Sequence, residues 1–212
     1  MTFSSSLIDD PKPLVLDTSV LINLHACTYG ERILRAVPND ILVPRIVANE
    51  LEHETSRKNG EHSFLHGLIG NGEVTLADLT DEEYTQFSAL TSGSPSLDDG
   101  EAATIAIAST RDLHCLIDEK KGRARALASM GQKEPAWSLD LLHHPQVIAA
   151  LGPEQEIDAL YLALRDGRMR IHDNHCGHVV NIIGPKRALN CRSLPGYKAR
   201  RLDWQAETVS SK

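Results

Sequence analysis

The sequence predicts an α/β domain with a central parallel sheet flanked by helices. Three observations carry this. Short apolar runs at residues 14–16, 41–43, 74–76 and 113–117 have the length and composition of buried strands. The stretches between them show helical spacing of apolar residues. Strands and helices alternate along the chain, the order that builds a parallel sheet through βαβ crossovers.

At 212 residues the chain is long enough for one domain with an appendage. Only 4% of it is aromatic against 41% apolar, so the core has to be built from Leu, Ile, Val and Ala. No apolar run approaches the length that spans a bilayer, and residues 1–10 lack the basic and apolar regions of a secretory signal. Cys27, Cys115, Cys176 and Cys191 are widely scattered, and the first two sit in apolar segments as plain buried thiols. That usage implies a reduced, cytoplasmic protein.

Residues 1–12 form a lead-in. Leu14-Val15-Leu16 then reads as a central strand behind Pro11 and Pro13. Asp17-Thr18-Ser19 follows, with Thr18 or Ser19 the natural N-cap of a helix carrying Val20, Leu21 and Leu24 on one face. A short helical piece over 31–37 closes at Pro38. The strand 41–43 leads through Pro44, a favoured first-turn residue, into a helix whose Ile46, Val47 and Leu51 face the sheet with Glu50 among them. Residues 55–60 end that helix, and 62–69 supply a further turn or two. Gly70-Asn71-Gly72 turns the chain into the strand 74–76. Thr80 caps a helix with acids in its first turn, running to about Leu90. Asp98-Asp99-Gly100-Glu101 opens an Ala-rich helix over 102–110, in which Asp98 and Glu101 form a capping-box-like pair. The strand 113–117 ends in Asp118-Glu119, and the basic helix 120–130 closes at Gly131. Residues 138–151 are expected to be helical despite Pro145, and Pro153–Arg165 sets Ile157, Leu160, Tyr161 and Leu164 on one face.

Four acids stand at element edges: Asp17, Glu50, Glu101 and Asp118. If the two strands that end in acids are neighbours, these carboxylates converge at the carboxyl edge of the sheet, where ligands bind in open α/β folds. Like charges so close raise one another's pKa, and a hard divalent cation relieves the repulsion. Mg2+ or Mn2+ held by oxygen ligands can activate a water and steady the leaving oxygen of a phosphodiester. Each acid also has a plainer reading. Asp17 can cap its helix, Glu50 can lie on a solvated face, Glu101 can serve its cap, and Asp118 can pair with Lys120 or Lys121.

The set resembles the PIN-domain nucleases, especially the compact prokaryotic branch with a Gly-Glu third acidic motif. The matching residues are Leu14-Val15-Leu16-Asp17-Thr18-Ser19, Val47-Ala48-Asn49-Glu50-Leu51, Gly100-Glu101-Ala102 with the Ala-rich run behind it, and Leu116-Ile117-Asp118-Glu119. The resemblance covers residues 13–170. It implies a PIN-like, Rossmann-like sheet and a Mg2+- or Mn2+-dependent endoribonuclease. In that family the acids hold metal, water attacks phosphorus, and the products carry 5′-phosphate and 3′-hydroxyl ends. Many members have Asp where this chain has Glu101. Asp99, Ser19 and Asp140, the last in Ser138-Leu139-Asp140, are secondary candidates. RNA is then the substrate. The settings that suit such an enzyme are the toxin of a toxin–antitoxin pair, a defence effector or an RNA-processing factor. An antitoxin, another protein or a second copy of the chain is the partner these settings supply, and no membrane is implied. The alternative is a catalytically silent PIN-like module that binds nucleic acid or protein.

Charge is unevenly distributed. Residues 1–160 carry 12 Lys and Arg against 25 Asp and Glu, whereas residues 161–212 carry 10 against 4. Residues 171–212 read as a basic C-terminal extension, suited to nucleic acid or an electrostatic partner, or else a solvated tail that balances the acidic body. Lys120, Lys121, Arg123 and Arg125 lie beside Asp118, where RNA phosphates would pass, and Lys186 and Arg187 lead the basic residues of the tail. Val179, Val180, Ile182 and Ile183 are apolar enough to pack the tail onto the body or onto a second subunit. His172-x-x-His175-Cys176-x-His178, with Cys191 further on, matches no standard zinc spacing and reads as a polar connector. His143-His144 beside Pro145 reads as a surface turn; Trp137 and Trp204 could stack on bases but read first as packing residues. Phosphoryl transfer through an aspartyl-phosphate is disfavoured, because the usual second Asp two positions after the first is Ser19 here.

Overall fold

The structure is a computed structural model that describes residues 4–7 and 10–210; the rest of the lead-in and the last two residues of the tail lie outside the described residues. β1 (Leu14–Leu16) is followed by α1 (Thr18–Ala26) and α2 (Gly30–Ala36). β2 (Ile41–Pro44) runs directly into α3 (Arg45–Glu50), then α4 (Glu54–Asn59) and α5 (Glu61–Gly70). β3 (Thr75–Ala77) precedes α6 (Asp81–Ser92) and α7 (Asp99–Thr110), and β4 (His114–Leu116) leads into α8 (Lys120–Ser129). α9 (Ser138–Leu142), α10 (Pro145–Leu151), α11 (Pro153–Arg165), α12 (Asp173–Ile183), α13 (Pro185–Ala188) and α14 (Tyr197–Ser210) complete the described chain.

The sheet has the order β3-β2-β1-β4, and every pairing is parallel. The chain steps outward from β1 to β3, then crosses to the other side of β1. Strand order therefore reverses between β1 and β4, and the crevice at their carboxyl ends is the topological switch point. Leu16 pairs with Leu116, so Asp17, next after β1, and Asp118, two residues past β4, emerge on the same edge. Beyond β4 the chain returns alongside it, with Leu116 bridging Ala136 and the Ala136 amide donating to Cys115 O at 2.9 Å. That return brings Ser138 beside Asp118.

Both faces of the sheet are covered. Leu14, Leu16 and Leu116 enter one apolar cluster, while Val15, Cys115 and Ile117 enter the other. This is the two-residue alternation of a strand buried on both sides. α7 lies deepest among the helices, with every residue from Gly100 to Ala108 buried. Its alanines let the helix backbone approach the sheet closely, which brings its first turn to the switch point.

Several local expectations change. Asp17 itself is the N-cap of α1, not Thr18 or Ser19. Residues 54–59 form a separate helix, stopped at Gly60 with φ +92°, a left-handed conformation that glycine adopts without strain. The 138–151 stretch is two helices. Proline has no amide to donate and forces the residue before it out of helical geometry, so His144 takes φ −67°, ψ 131° and Pro145 begins α10. His143 and His144 are buried, at 9% and 3% exposure, because this break lies under neighbouring elements and not on the surface.

The tail shares the main core. Cys176, Val179, Val180, Ile183, Ala188, Cys191, Leu194 and Trp204 are buried in the same cluster as Leu14 and Leu160, with Ile182 packed against it. Trp137 and Trp204 are both buried. No helix of the described residues is long and apolar enough to cross a membrane.

Candidate metal centre

Three of the four acids are each held by a different local device. Asp17 caps α1. Its Oδ2 accepts from the Ser19 amide at 3.2 Å and the Ser19 hydroxyl at 2.6 Å. Glu50 is the last residue of α3, which packs on α7. Its Oε1 accepts from the Gly100 amide at 2.8 Å, and its Oε2 accepts from the Thr18 hydroxyl. Asp118 is buried against the returning chain. Its Oδ1 accepts from the Ser138 amide at 2.8 Å, and its Oδ2 accepts from the Ser138 hydroxyl at 2.6 Å and the Asn23 side-chain amide. Three of its four lone-pair sites are thus engaged. Glu101 differs from these. It is 3% exposed, its Oε2 is buried without a hydrogen-bond donor, and the nearest cation in its surroundings is Lys121 Nζ at 4.0 Å.

Glu101 is not the carboxylate that caps α7. The cap is Asp98, whose Oδ1 accepts from the Glu101 amide at 2.8 Å. Asp98 is exposed and was not among the candidate site residues, yet its charge raises the pKa of Asp17, Glu50 and Glu101 alike. Burial is the larger cause in all three. It pushes Asp17 and Glu101 up to about 7 and raises Glu50 and Asp118, with the Ser138 and Asn23 donors pulling Asp118 back. At neutral pH such a cluster is short of positive charge, and the Glu101 oxygen, with no hydrogen-bond donor and only Lys121 at 4.0 Å, is where the shortage is sharpest.

The donor set is all oxygen, which suits Mg2+ or Mn2+ and not a softer ion. Among the described residues no three of these carboxylates bring oxygens within 4.8 Å of one another. A cation that keeps several waters and takes one or two carboxylates directly matches that spread.

The remaining candidates have other engagements. Ser19 orients Asp17. Asp99 is exposed in the first turn of α7, and its charge also raises Glu50. Asp140 accepts from the Trp137 amide at 3.1 Å and the Ser6 amide at 2.7 Å, so it caps α9 and ties down the lead-in. Lys120 and Lys121 are exposed, Arg123 stacks over Trp137 at 4.8 Å, and Arg125 is half-buried beside Gly93. Lys186 is exposed, whereas Arg187 is paired with Asp158 at 2.7 Å and covers Tyr161. The His and Cys residues of the tail do not gather into one ligand set among the described residues. Cys176 and Cys191 point instead at the backbone oxygens of Pro195 and Arg187.

A family model described as a PIN domain matches residues 13–133, the span that holds all four acids. The chain belongs to the PIN-domain family. PIN domains are generally nucleases and generally use divalent metals. No curated protein and no solved structure matches the chain. What sequence reasoning missed is the part played at the site by Asp98, Asn23 and Thr18 within the matched span, and by Ser138 just beyond it. Asn23 carried a signal: it is a polar residue within the apolar stripe of α1, between Val20-Leu21 and Leu24.

Proposed function

We propose that this PIN domain is a metal-dependent endoribonuclease whose centre is built from Asp17, Glu50, Glu101 and Asp118. The observation that carries the reading is the buried Glu101 Oε2, left without a donor beside acids whose pKa values are already raised. A site built for hydrolysis through a cation has this charge deficit, whereas a binding module has no use for it.

A bound Mg2+ or Mn2+ supplies an activated water and charge for the leaving oxygen. Asp17 and Glu101, with Glu50 alongside, would hold it. Thr18 and Gly100 fix the Glu50 carboxylate, Ser19 fixes Asp17, and Asn23 with Ser138 fixes Asp118, so little reorganisation is needed when substrate arrives. Lys121, near Glu101 and exposed, is set to meet a phosphate of the RNA. RNA, and not DNA, is the substrate of this reading, with the basic tail adding sequence-independent phosphate contacts.

The test is cleavage of structured and unstructured RNA with Mn2+ or EDTA, followed by end mapping. Metal-dependent cuts that leave 5′-phosphate and 3′-hydroxyl ends, and that vanish in Asp17→Asn, are expected. RNA binding with no cleavage under any divalent metal would make the protein a silent binding module.

A further inference from the structure

A second cluster of ligand atoms includes none of the four acids. Glu52 follows α3, and His62 and His66 lie one turn apart on α5. The four-residue spacing sets both imidazoles on one helix face, with ring centroids 4.2 Å apart. Glu52 Oε1 lies 3.1 Å from His62 Nε2 and 3.6 Å from His66 Nε2. All three ligand atoms fall within 4.8 Å of one another, the only such group among the described residues.

The spacing suits a metal. Ligands at about 2.0–2.1 Å in a tetrahedron are separated by roughly 3.3 Å. The two Glu–His edges bracket that value, and His66, whose side chain is 58% exposed, is free to turn and adjust the third. The carboxylate is already anchored. Glu52 Oε2 takes the Arg57 guanidinium, whose Nε also donates to Glu52 O at 2.8 Å, leaving Oε1 for the cluster. Such support for a ligating carboxylate usually accompanies a metal site. Two imidazole nitrogens with one carboxylate oxygen select a borderline transition dication of the zinc class over Mg2+.

We infer that Glu52, His62 and His66 form a binding site for a zinc-class divalent metal, separate from the carboxylate centre. The ion joins the chain just past Glu50 to α5, so it braces the end of the helix that presents Glu50. A fourth position stays open to water.

The experiment uses the full, untagged chain, stripped with chelator and titrated with Zn2+ against a chromophoric competitor, with millimolar Mg2+ present throughout. One Zn2+ per chain is expected. Affinity should fall by more than about 100-fold in the His62→Ala, His66→Ala double variant, beyond the cost of losing a supporting residue. The exposed single variant His66→Ala should weaken binding with its circular dichroism unchanged, and Asp17→Asn should bind Zn2+ as wild type does. Co2+ added to wild type should give visible absorption bands that the double variant lacks. Failure of wild type to take up Zn2+ overturns the site, as does unaltered uptake in the histidine variants. Loss of Zn2+ in Asp17→Asn alone would assign the ion to the carboxylate centre. None of these readouts depends on RNA cleavage, so the site stands or falls apart from the nuclease reading.

Discussion

The Gly100 amide donates to Glu50 Oε1 at 2.8 Å, and a Cβ on Gly100 would lie 2.6 Å from Glu50 Oε2. The glycine is therefore where α7 clasps the acid of α3, with no room for a side chain. Gly100→Ala should push the Glu50 carboxylate out of place without altering any charge. Metal affinity and cleavage should fall by about 10–100-fold, the range for losing a group that positions a ligand. Gly177→Ala is the matching control, because nothing lies within 4 Å of its added Cβ. In the middle of α12 it should stabilise the protein by about 0.5–1 kcal/mol. Thermal melts and Mn2+ titrations of the two variants check both halves.

Asp17→Asn should abolish cleavage and stabilise the metal-free protein at neutral pH. Asn also caps helices well, so α1 keeps its start. Burial raises Asp17 from 3.8 to about 7, so the folded state binds the extra proton between those values. Stability linked to this group is full below about pH 4 and is lost as pH rises through about 7. The variant should therefore gain on wild type as pH climbs from 4 to 8 in EDTA, with the gap closing at the acid end. Parallel melting curves across that range would refute the burial argument.

Asp98→Asn separates charge from capping. The amide oxygen can still accept from the Glu101 amide, so α7 should keep its N-terminus. Removing the charge relieves Asp17, Glu50 and Glu101 together. The pH midpoint for Mn2+ binding should move down, while affinity at high pH weakens because one attracting charge is gone. Calorimetric titrations at several pH values read both effects.

Asn23→Ala and Ser138→Ala each strip donors from the buried Asp118 carboxylate. Each should cost about 1–3 kcal/mol in stability. Asp118 should then hold its proton more tightly, and cleavage should drop by about 10–100-fold. Wild-type turnover in both would remove Asp118 from the centre.

The tail calls for point changes in place of deletion. Because α12 to α14 share the core, truncation after Arg170 should leave a chain that melts far below wild type or aggregates. Replacing the exposed Lys186, Arg192, Lys198 and Arg201 with Gln leaves the core intact. If the tail meets RNA, the slope of log affinity against log salt should flatten by about 0.7 for each phosphate that is no longer neutralised. An unchanged slope would assign these charges to a protein partner or to solvent.

What the sequence could convey depended on range. Leu14-Val15-Leu16-Asp17 announced a buried strand with an acid at its end because four adjacent residues suffice to say so. The Ala-rich run of α7 likewise declared a helix meant for close packing. Asp98 was legible only as a cap. Its second role depends on α3 delivering Glu50 to the same place, a long-range event. Ser138 escaped because it reaches Asp118 only when the chain returns along β4 through Ala136. His143 and His144 resembled a surface turn because polarity was the only guide, and their burial is decided by what packs over them. Pro145 was the avoidable miss, since its geometry is local.

The two tryptophans sit in different settings within one core cluster. Trp137 precedes Ser138, the residue that grips Asp118, and carries the Arg123 guanidinium over its ring. Trp204 lies in α14, 6% exposed, with Tyr197 beside it. Trp137 also packs against His172 and His175 of the tail, so it reports the junction between the Asp118 grip and α12. With Trp137→Phe, emission follows the seating of the last helix; with Trp204→Phe, it follows that junction. Comparing the two variants separates docking of the last helix from changes at the junction in a single unlabelled chain.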